Sequence, residues 1–429
     1  MRKVLIVTSV ASMILQFNMD NIRLLQELGC SVDVACNFHD GNTCPQDEVD
    51  RLRSLLEQRH VGCHQIPFAR DIKKVRQNAA AARLLSRLVK AGRYDMVHCQ
   101  SPIGGLLGRF VCIGRHTKAV YTVHGFHFYK GAPKKNWLLY FPVEWACSWF
   151  TDTLIAINRE DYLFAKKHLH AKGTVYIPGV GIDTERFRQA GMDESVRAKA
   201  RQQFDIKEHE VLLLSVGELS IRKNHKVILD ALSRIGAPNI RYLIAGIGGQ
   251  GEALRVDAAA RGLSDRVALP GYLPDVWTLY AAADVFVFPS LQEGLPVALI
   301  EAAAAGLPCV VSDIRGNRDI VHSGLSDCFT APFDDAEAFA GQILAALSRG
   351  KGSAKDSVAA GGNVENAGAK TSAAAGTDRE CHETESVQPG CAAIPPRTGN
   401  AAAVRKQFDR AVIRKKMNLL YQRILGMDL

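Results

Sequence analysis

Residues 289–319 read PSLQEGLPVALIEAAAAGLPCVVSDIRGNRD and follow an apolar run, Val285–Pro289, that has the length of a short buried strand. The stretch resolves into strand, loop, helix and strand. Pro296 suits the first helical position, where its missing N–H would have no helical partner anyway. Val297–Ala305 then reads as an alanine-rich helix and Pro308–Ser312 as the next strand. The free backbone N–H groups around Gly294 and Leu295, with the helix dipole, favour an anion. Glu293 precedes the helix and Glu301 lies eight residues on, inside it. Glu301 is flanked by Leu299, Ile300 and four alanines, a costly place for an idle carboxylate.

The same alternation extends both ways along the 429 residues. Strands are expected at Val4–Thr8, Ser31–Cys36, Met96–Cys99, Ala119–Val123, Thr153–Ile157 and Thr174–Ile177. Helices separate them at Asn21–Leu28, Gln46–Glu57, Val75–Val89, Gly105–Ile113 and Glu160–His168. The pattern loosens into polar sequence over 185–210. A second series follows, with strands at Glu210–Val216, Arg241–Ala245 and Val267–Pro270 and helices at Lys226–Ile235 and Gly251–Arg261. This is an α/β chain of two Rossmann-like doubly wound domains, 1–190 and 191–349, facing a central cleft. Residues 350–403 contain no aromatic residue and no leucine, too little apolar surface to offset ordering entropy, and are expected to be a disordered insertion. Cys381, His382 and Cys391 lie in it at no zinc-like spacing. A helix is expected over 404–429, with Phe408, Val412, Leu419, Tyr421 and Leu425 apolar, packing back towards the first domain.

Hydrophobic residues at 47% and charged residues at 23% are ordinary globular usage and exclude a wholly disordered or collagenous chain. No run of 18 apolar residues occurs. Arg2, Lys3 and the apolar run after them imitate a signal peptide, but Thr8, Ser9 and Ser12 interrupt it, so Lys3–Thr8 reads as a first buried strand. Eleven cysteines, none in CxxC spacing, with Cys30, Cys36, Cys99, Cys112 and Cys309 in or beside apolar runs, point to a reducing cytoplasm. The net charge of +9 is local. Residues 69–93 carry +7 and 404–429 carry +5, so the remainder is slightly acidic. That argues against diffuse nucleic-acid binding and for a patch facing something anionic.

Glu293 and Glu301, with the Glu293–Pro296 turn and the following AGLPCV segment, resemble the E-x7-E motif of the family 4 retaining glycosyltransferases, which adopt the GT-B fold. By this resemblance Glu293 contacts the donor sugar, Glu301 holds the ribose hydroxyls, and the N–H groups at Gly294 and Leu295 face sugar and diphosphate. Val216–Asn224, VGELSIRKN, resembles the family segment whose lysine neutralises the leaving diphosphate, which assigns that role to Lys223 and places Gly217 at the donor. Glu218 stands where the family often has arginine, and Arg222 is the available substitute. Ile177–Phe187 is similar to the segment before the family's interdomain linker. Ile244–Gly251, IAGIGGQG, imitates a dinucleotide fingerprint, but mid-chain it fits better the family turn lining the donor site, with Gly246 and Gly248. In Tyr121–Gly131, YTVHGFHFYKG, His124 matches the family histidine that approaches the reacting sugar; His127 fits either a structural or an acceptor role. Val10–Asn18, His98–Gly105 and Val216–His225 resemble a bacterial subgroup that builds capsule and exopolysaccharide, and place Ser12 and Asn18 beside the acceptor.

The resemblance implies transfer, with retention, of a hexosyl or N-acetylhexosaminyl group from a nucleotide-sugar, UDP-linked by preference, to a polyprenyl-diphosphate-linked or other glycan acceptor. It implies no cofactor, and no Asp-x-Asp metal motif occurs in the chain. His124, Glu293 and Lys223 carry the chemistry: fixed positive charge for the departing diphosphate, and groups that hold the sugar. The helix over Ile72–Val89 sets Ile72, Val75, Ala79, Ala82, Leu85 and Val89 near one face and Arg76, Arg83, Arg87 and Lys90 near another. It reads as a helix on anionic lipid at the inner face of the membrane, or as an ordinary crossover helix. The aromatics of Trp137–Phe150 add an interfacial surface or core. A nucleotide-sugar epimerase of the same architecture is the alternative. An NAD oxidoreductase rests only on the Gly246–Gly251 turn, and nucleic-acid binding only on charge.

Overall fold

The computed structural model describes residues 1–352 and 400–427. The expected insertion therefore lies, for residues 353–399, outside the described residues. At its edges the expectation is corrected. Ala336–Gly352 is one helix and Asn400–Phe408 another. Asn400 is fully buried; its Oδ1 accepts from the Ser326 and Asp327 N–H groups and its Nδ2 donates to Leu307 O, which ties residues 400–403 into the second lobe.

Two parallel sheets form the lobes. The first joins β1 (Lys3–Val10), β2 (Ser31–Asn37), β3 (Gly62–Gln65), β4 (Met96–Gln100), β5 (Lys118–Val123), β6 (Thr153–Ala156) and β7 (Gly173–Tyr176) in the order β3-β2-β1-β4-β5-β6-β7. The second joins β8 (Val211–Val216), β9 (Ile240–Ala245), β10 (Val267–Gly271), β11 (Val285–Phe288), β12 (Cys309–Ser312) and β13 (Cys328–Ala331) in the order β10-β9-β8-β11-β12-β13. Helices cover both faces, so the central strands read as continuous apolar runs; Val4–Val7 and Leu212–Leu214 are wholly buried. Strand order reverses between β1 and β4 and between β8 and β11, and ligands bind beyond the carboxyl ends at such points.

Elements absent from the sequence reading have identifiable reasons. Gly62–Gln65 is a half-buried edge strand without apolar alternation. Lys134–Ser148 is a helix despite Pro142 inside it. The loosened stretch folds as helices Thr184–Met192 and Glu194–Gln203. Their polar composition misleads because Arg197 and Arg201 are buried. Both guanidinium groups bond Asp284, and both reach backbone carbonyls at the end of helix Trp277–Ala282. Helix Val75–Gly92 buries Asn78, Ala81, Leu85 and Val89, so the expected face is corrected by a rotation: Val75 is 69% exposed. Asn78 faces inward because its amide accepts from Ala69 N and donates to Asp71 O.

The chain crosses between lobes twice, side by side. At Ile182 it enters the second lobe and at Asp409 it returns. Ile182 N–H donates to Phe408 O, and Arg410 N–H donates to Ile182 O. Gly181, at φ +78°, sits so close to this return that a Cβ would lie 2.9 Å from Arg410 Cα. Before the crossing, Val404 and Phe408 join the second lobe's core. After it, helix Arg410–Leu425 lays Ile413, Met417, Leu420, Tyr421 and Leu425 among Val4, Val34 and Met96 of the first. Of the five expected apolar residues Phe408, Tyr421 and Leu425 are buried, whereas Leu419 is half exposed and Val412 only partly covered.

Candidate active site

The carboxyl ends of β1, β4 and β5 and those of β8, β9 and β11 open into one cavity of about 770 Å³ between the lobes. Ser12, His124, His127, Gly217, Arg222, Lys223, Gly246, Glu293, Gly294, Leu295 and Glu301 all line it. Two expected residues do not. Gly248 is exposed and packs against the loop after β8, where a Cβ would lie 2.3 Å from Leu219 O. Asn18 is wholly buried behind the first-lobe wall.

The second-lobe wall is charged and internally paired. Glu293 Oε1 lies 2.8 Å from Lys223 Nζ and 2.7 Å from Arg222 Nη1. Burial pushes the Glu293 carboxyl up, but the two cations outweigh it and hold it below the usual carboxylate range. Burial lowers the Lys223 ammonium, opposed by Glu293. Lys223 Nζ also sits 4.4 Å above the Phe288 ring. Glu218 lies 3.9 Å from Arg222, so the four side chains sum to zero charge. The β11 loop is pinned to this cluster, with Leu291 N–H donating to Arg222 O and Asn224 Nδ2 to Pro289 O. Gly246, at φ +147°, is required here because a Cβ would lie 1.8 Å from Gly217 O.

Helix Val297–Ala304 starts where it was expected, but Pro296 precedes its first turn instead of standing in it. Pro296 caps it, and among the described residues no side chain bonds its first N–H groups. Inside it Glu301 has, among the described residues, one partner, the Tyr280 hydroxyl at 2.8 Å, and no cation. Burial raises its carboxyl to about 7, with Tyr280 opposing.

The first-lobe wall brings two charged side chains to the cavity, Arg70 and Glu144, and is neutral elsewhere. His124 follows β5, its Nε2 2.7 Å from Gln100 Oε1 and its ring 5.0 Å from that of Phe17. Burial lowers His124 to about 4, so it is uncharged at neutral pH. His127 stacks on Tyr140 at 4.6 Å and is also lowered, by burial first. Ser12 Oγ accepts from Thr43 N–H. Glu144 pairs with Arg109, wholly buried behind this wall, at 2.8 Å, and the guanidinium lies 4.0 Å over Tyr121.

The walls touch. Gly294 is pressed on the backbone of His124 and Gly125, leaving a Cβ only 2.0 Å from His124 O. Arg315 reaches across from the second lobe, its Nη1 2.6 Å from Asp161 Oδ1 and its Nη2 donating to Phe126 O. Sequence reading missed Arg315, Asp161, Gln100 and the Glu144–Arg109 pair. Arg315 lies within the opening stretch and Gln100 within the His98–Gly105 segment, but their partners are far away in the chain.

Two facing doubly wound lobes with a cation-held carboxylate at the cleft define a glycosyltransferase of the GT-B class. Residues 17–186 match the family described as Glycosyltransferase Family 4, and residues 196–360 the family described as Glycosyl transferases group 1. The chain is 36% identical over 348 residues to the putative glycosyltransferase EpsD of Bacillus subtilis, covering 80% of this chain and 86% of that one. It is 30% identical over 289 residues to an Escherichia coli UDP-Gal:alpha-D-GlcNAc-diphosphoundecaprenol alpha-1,3-galactosyltransferase, covering 66% and 72%. Among solved structures, Anabaena HepE in complex with UDP-glucose superposes with a TM-score of 0.69 at 18% identity, over 99% of this chain and all of that one. The protein belongs to the family 4 glycosyltransferases of the exopolysaccharide type. The comparisons give the epimerase reading no support.

Proposed function

We propose that the cleft transfers a hexosyl or N-acetylhexosaminyl group from a UDP-sugar to a polyprenyl-diphosphate-linked glycan, with retention and without metal or cofactor. The observation that carries this is Glu293, held by Lys223 and Arg222 at a turn pressed on the backbone of His124. It sets a sugar-holding carboxylate, a diphosphate-neutralising pair and a neutral imidazole at one point. An arriving diphosphate competes with Glu293 for Lys223 and Arg222, so both cations are aimed, and Lys223 is already desolvated, before the donor binds. Arg222 then does the work that an arginine at position 218 does elsewhere in the family. The unbonded N–H groups at the start of helix Val297–Ala304 add to that pull. Glu301 is placed for the ribose hydroxyls, and Ser12 and His127 border the acceptor. The UDP-glucose held by HepE and the lipid diphosphate named for the E. coli relative support the choice of substrates. Among the described residues no cluster of metal-ligating side chains occurs. A donor screen following nucleotide release, with membrane extract as acceptor, tests the reading. UDP release that needs both a UDP-sugar and extract, and that survives EDTA, is expected. Release restored only by a divalent cation overturns the metal-free mechanism.

No helix among the described residues is long and apolar enough to cross a membrane. The acceptor's lipid is met instead by a surface. Leu138, Trp145, Trp149 and Phe150 are exposed on and just after helix Lys134–Ser148, and Phe110 is exposed at the end of helix Pro102–Phe110 beside it. That second helix also contacts helix Val75–Gly92, which exposes Arg76, Arg83, Arg87 and Lys90. Apolar anchors beside a basic helix suit the anionic inner face of the cytoplasmic membrane. Flotation with anionic liposomes and its loss in Trp145→Ser/Trp149→Ser are expected; flotation independent of lipid charge would exclude the basic helix.

A further inference from the structure

His98 and Gln100 stand two apart on β4, and Thr122 and His124 two apart at the end of β5. In this register Gln100 pairs with Thr122, and alternate residues share a face. The side chains bond one step forward: His98 Nε2 to Thr122 Oγ1 and Gln100 Oε1 to His124 Nε2, at 2.8 and 2.7 Å. A second chain of bonds leads away from Gln100. Its Nε2 donates to Asn18 Oδ1, which also receives Asn21 Nδ2 at 3.3 Å, and Asn18 Nδ2 donates to Met13 O at 3.0 Å.

The direction of this relay is forced from its far end. A backbone carbonyl only accepts, so Asn18 must turn its NH₂ to Met13 O and its oxygen to Gln100. Gln100 must then donate to Asn18, which leaves its own oxygen for His124. An oxygen there only accepts, so the His124 proton sits on Nε2 and Nδ1 is left with a lone pair. Nδ1 has no hydrogen-bond partner among the described residues, and His124 lines the cavity. Asn18 and Gln100 are 0% and 2% exposed, so no water replaces either link cheaply.

We propose that Gln100 and Asn18 are positioning residues that fix His124 as the Nε2–H tautomer, so that Nδ1 accepts a hydrogen bond from a hydroxyl of the bound sugar. Asn18 thus serves the site from behind the wall rather than by touching the acceptor. The imidazole has no proton to offer on the cavity side, so it reads a hydroxyl donor on the substrate and is no acid towards the leaving diphosphate. This rests on the proposed role of His124 at the sugar.

Long-range ¹H–¹⁵N correlation spectra of the ¹⁵N-histidine-labelled protein, with His124 assigned by its absence in His124→Asn, test it directly. The wild type is expected to show a protonated Nε2 and a bare Nδ1. Gln100→Leu should give mixed tautomers with kcat about tenfold lower, the scale of one lost hydrogen bond. Gln100→Glu, whose buried carboxyl when protonated donates to Asn18 Oδ1 and keeps an acceptor for His124 Nε2, should keep the single tautomer. A protonated Nδ1 in the wild type, or one unmixed tautomer in Gln100→Leu, overturns the proposal. If Gln100→Leu does not fold, Asn18→Leu frees the Gln100 amide to turn and is expected to show the same mixing; a single tautomer there overturns the relay equally. Unchanged transfer by His124→Asn, with the expected tautomer in the wild type, would instead refute the role of His124 at the sugar and leave the relay standing.

Discussion

The two walls of the cleft solve the problem of burying polar groups in opposite ways. The second-lobe wall keeps its charges and cancels them, two acids against two bases around Glu293. The first-lobe wall confines its charge to Arg70 and to Glu144, which Arg109 neutralises, and otherwise holds imidazole neutral, His98 buried behind it and His124 at the cavity in a bond of fixed direction. A self-paired cluster can exchange one anion for another, as diphosphate capture requires. A neutral, directed hydrogen bond can recognise a hydroxyl without favouring a charge, as holding a sugar requires. Glu301 belongs to neither type, a buried carboxylate with a hydroxyl partner and, among the described residues, no cation.

The largest effect should come from acid, which attacks the neutral strategy. His98, His124 and, beneath the second lobe, His225 are lowered by burial to about 3, 4 and 3. Stability is then whole above the unfolded value near 6.5 and is lost as pH falls towards the folded values, because the unfolded chain takes up protons the folded one refuses. Three such groups give a slope of up to about 4 kcal/mol per pH unit between 6.5 and 4. Urea midpoints against pH should show it, less one proton's share in His98→Gln; an unaltered slope there would break the distinction between the walls.

Next comes Lys223→Ala, which attacks the paired strategy. Loss of a fixed cation facing developing charge should lower kcat about 10²–10³-fold. Leaving Glu293 buried with only the more exposed Arg222 should also cost about 3 kcal/mol of stability. Normal kcat in a stable variant would show that the cluster is structural only. Smallest is Glu301→Gln. The folded carboxyl lies near 7 against an ordinary 4.5, so ionising it costs stability progressively from pH 4.5 to 7. The variant should match the wild type at pH 4 and exceed it by roughly 2–3 kcal/mol at pH 8. Its donor KM should be higher and flat with pH, whereas the wild-type KM should rise below pH 7. Equal stability at both pH values would mean that Glu301 carries no burial cost.

The second-lobe wall was readable because its parts lie close in sequence. Glu293, Gly294 and Glu301 fall within nine residues, and Lys223 follows its strand by seven. The first-lobe wall was only half readable. His124 stands out in its loop, but Gln100 acquires meaning only when β4 and β5 pair, and Asn18 only when the loop after β1 folds over both. Asn18 was expected beside the acceptor from the resemblance of its segment; it is buried instead, because its amide is satisfied there. The same reason hid Asn78, Arg197 and Arg201. Patterns of polarity locate exposed faces well, and fail where a polar group finds all its partners inside.

The paired crossings at Ile182 and Asp409 have a consequence for the order of assembly. Helix Arg410–Leu425 follows the entire second lobe in the chain, yet Tyr421 caps His98 Nδ1 at 2.8 Å within the first lobe's core. On the ribosome the lobe begun first is therefore the one finished last. Until that helix emerges, the nascent first lobe holds a sheet face without its cover and His98 without its phenol partner, waiting on a segment more than 320 residues away.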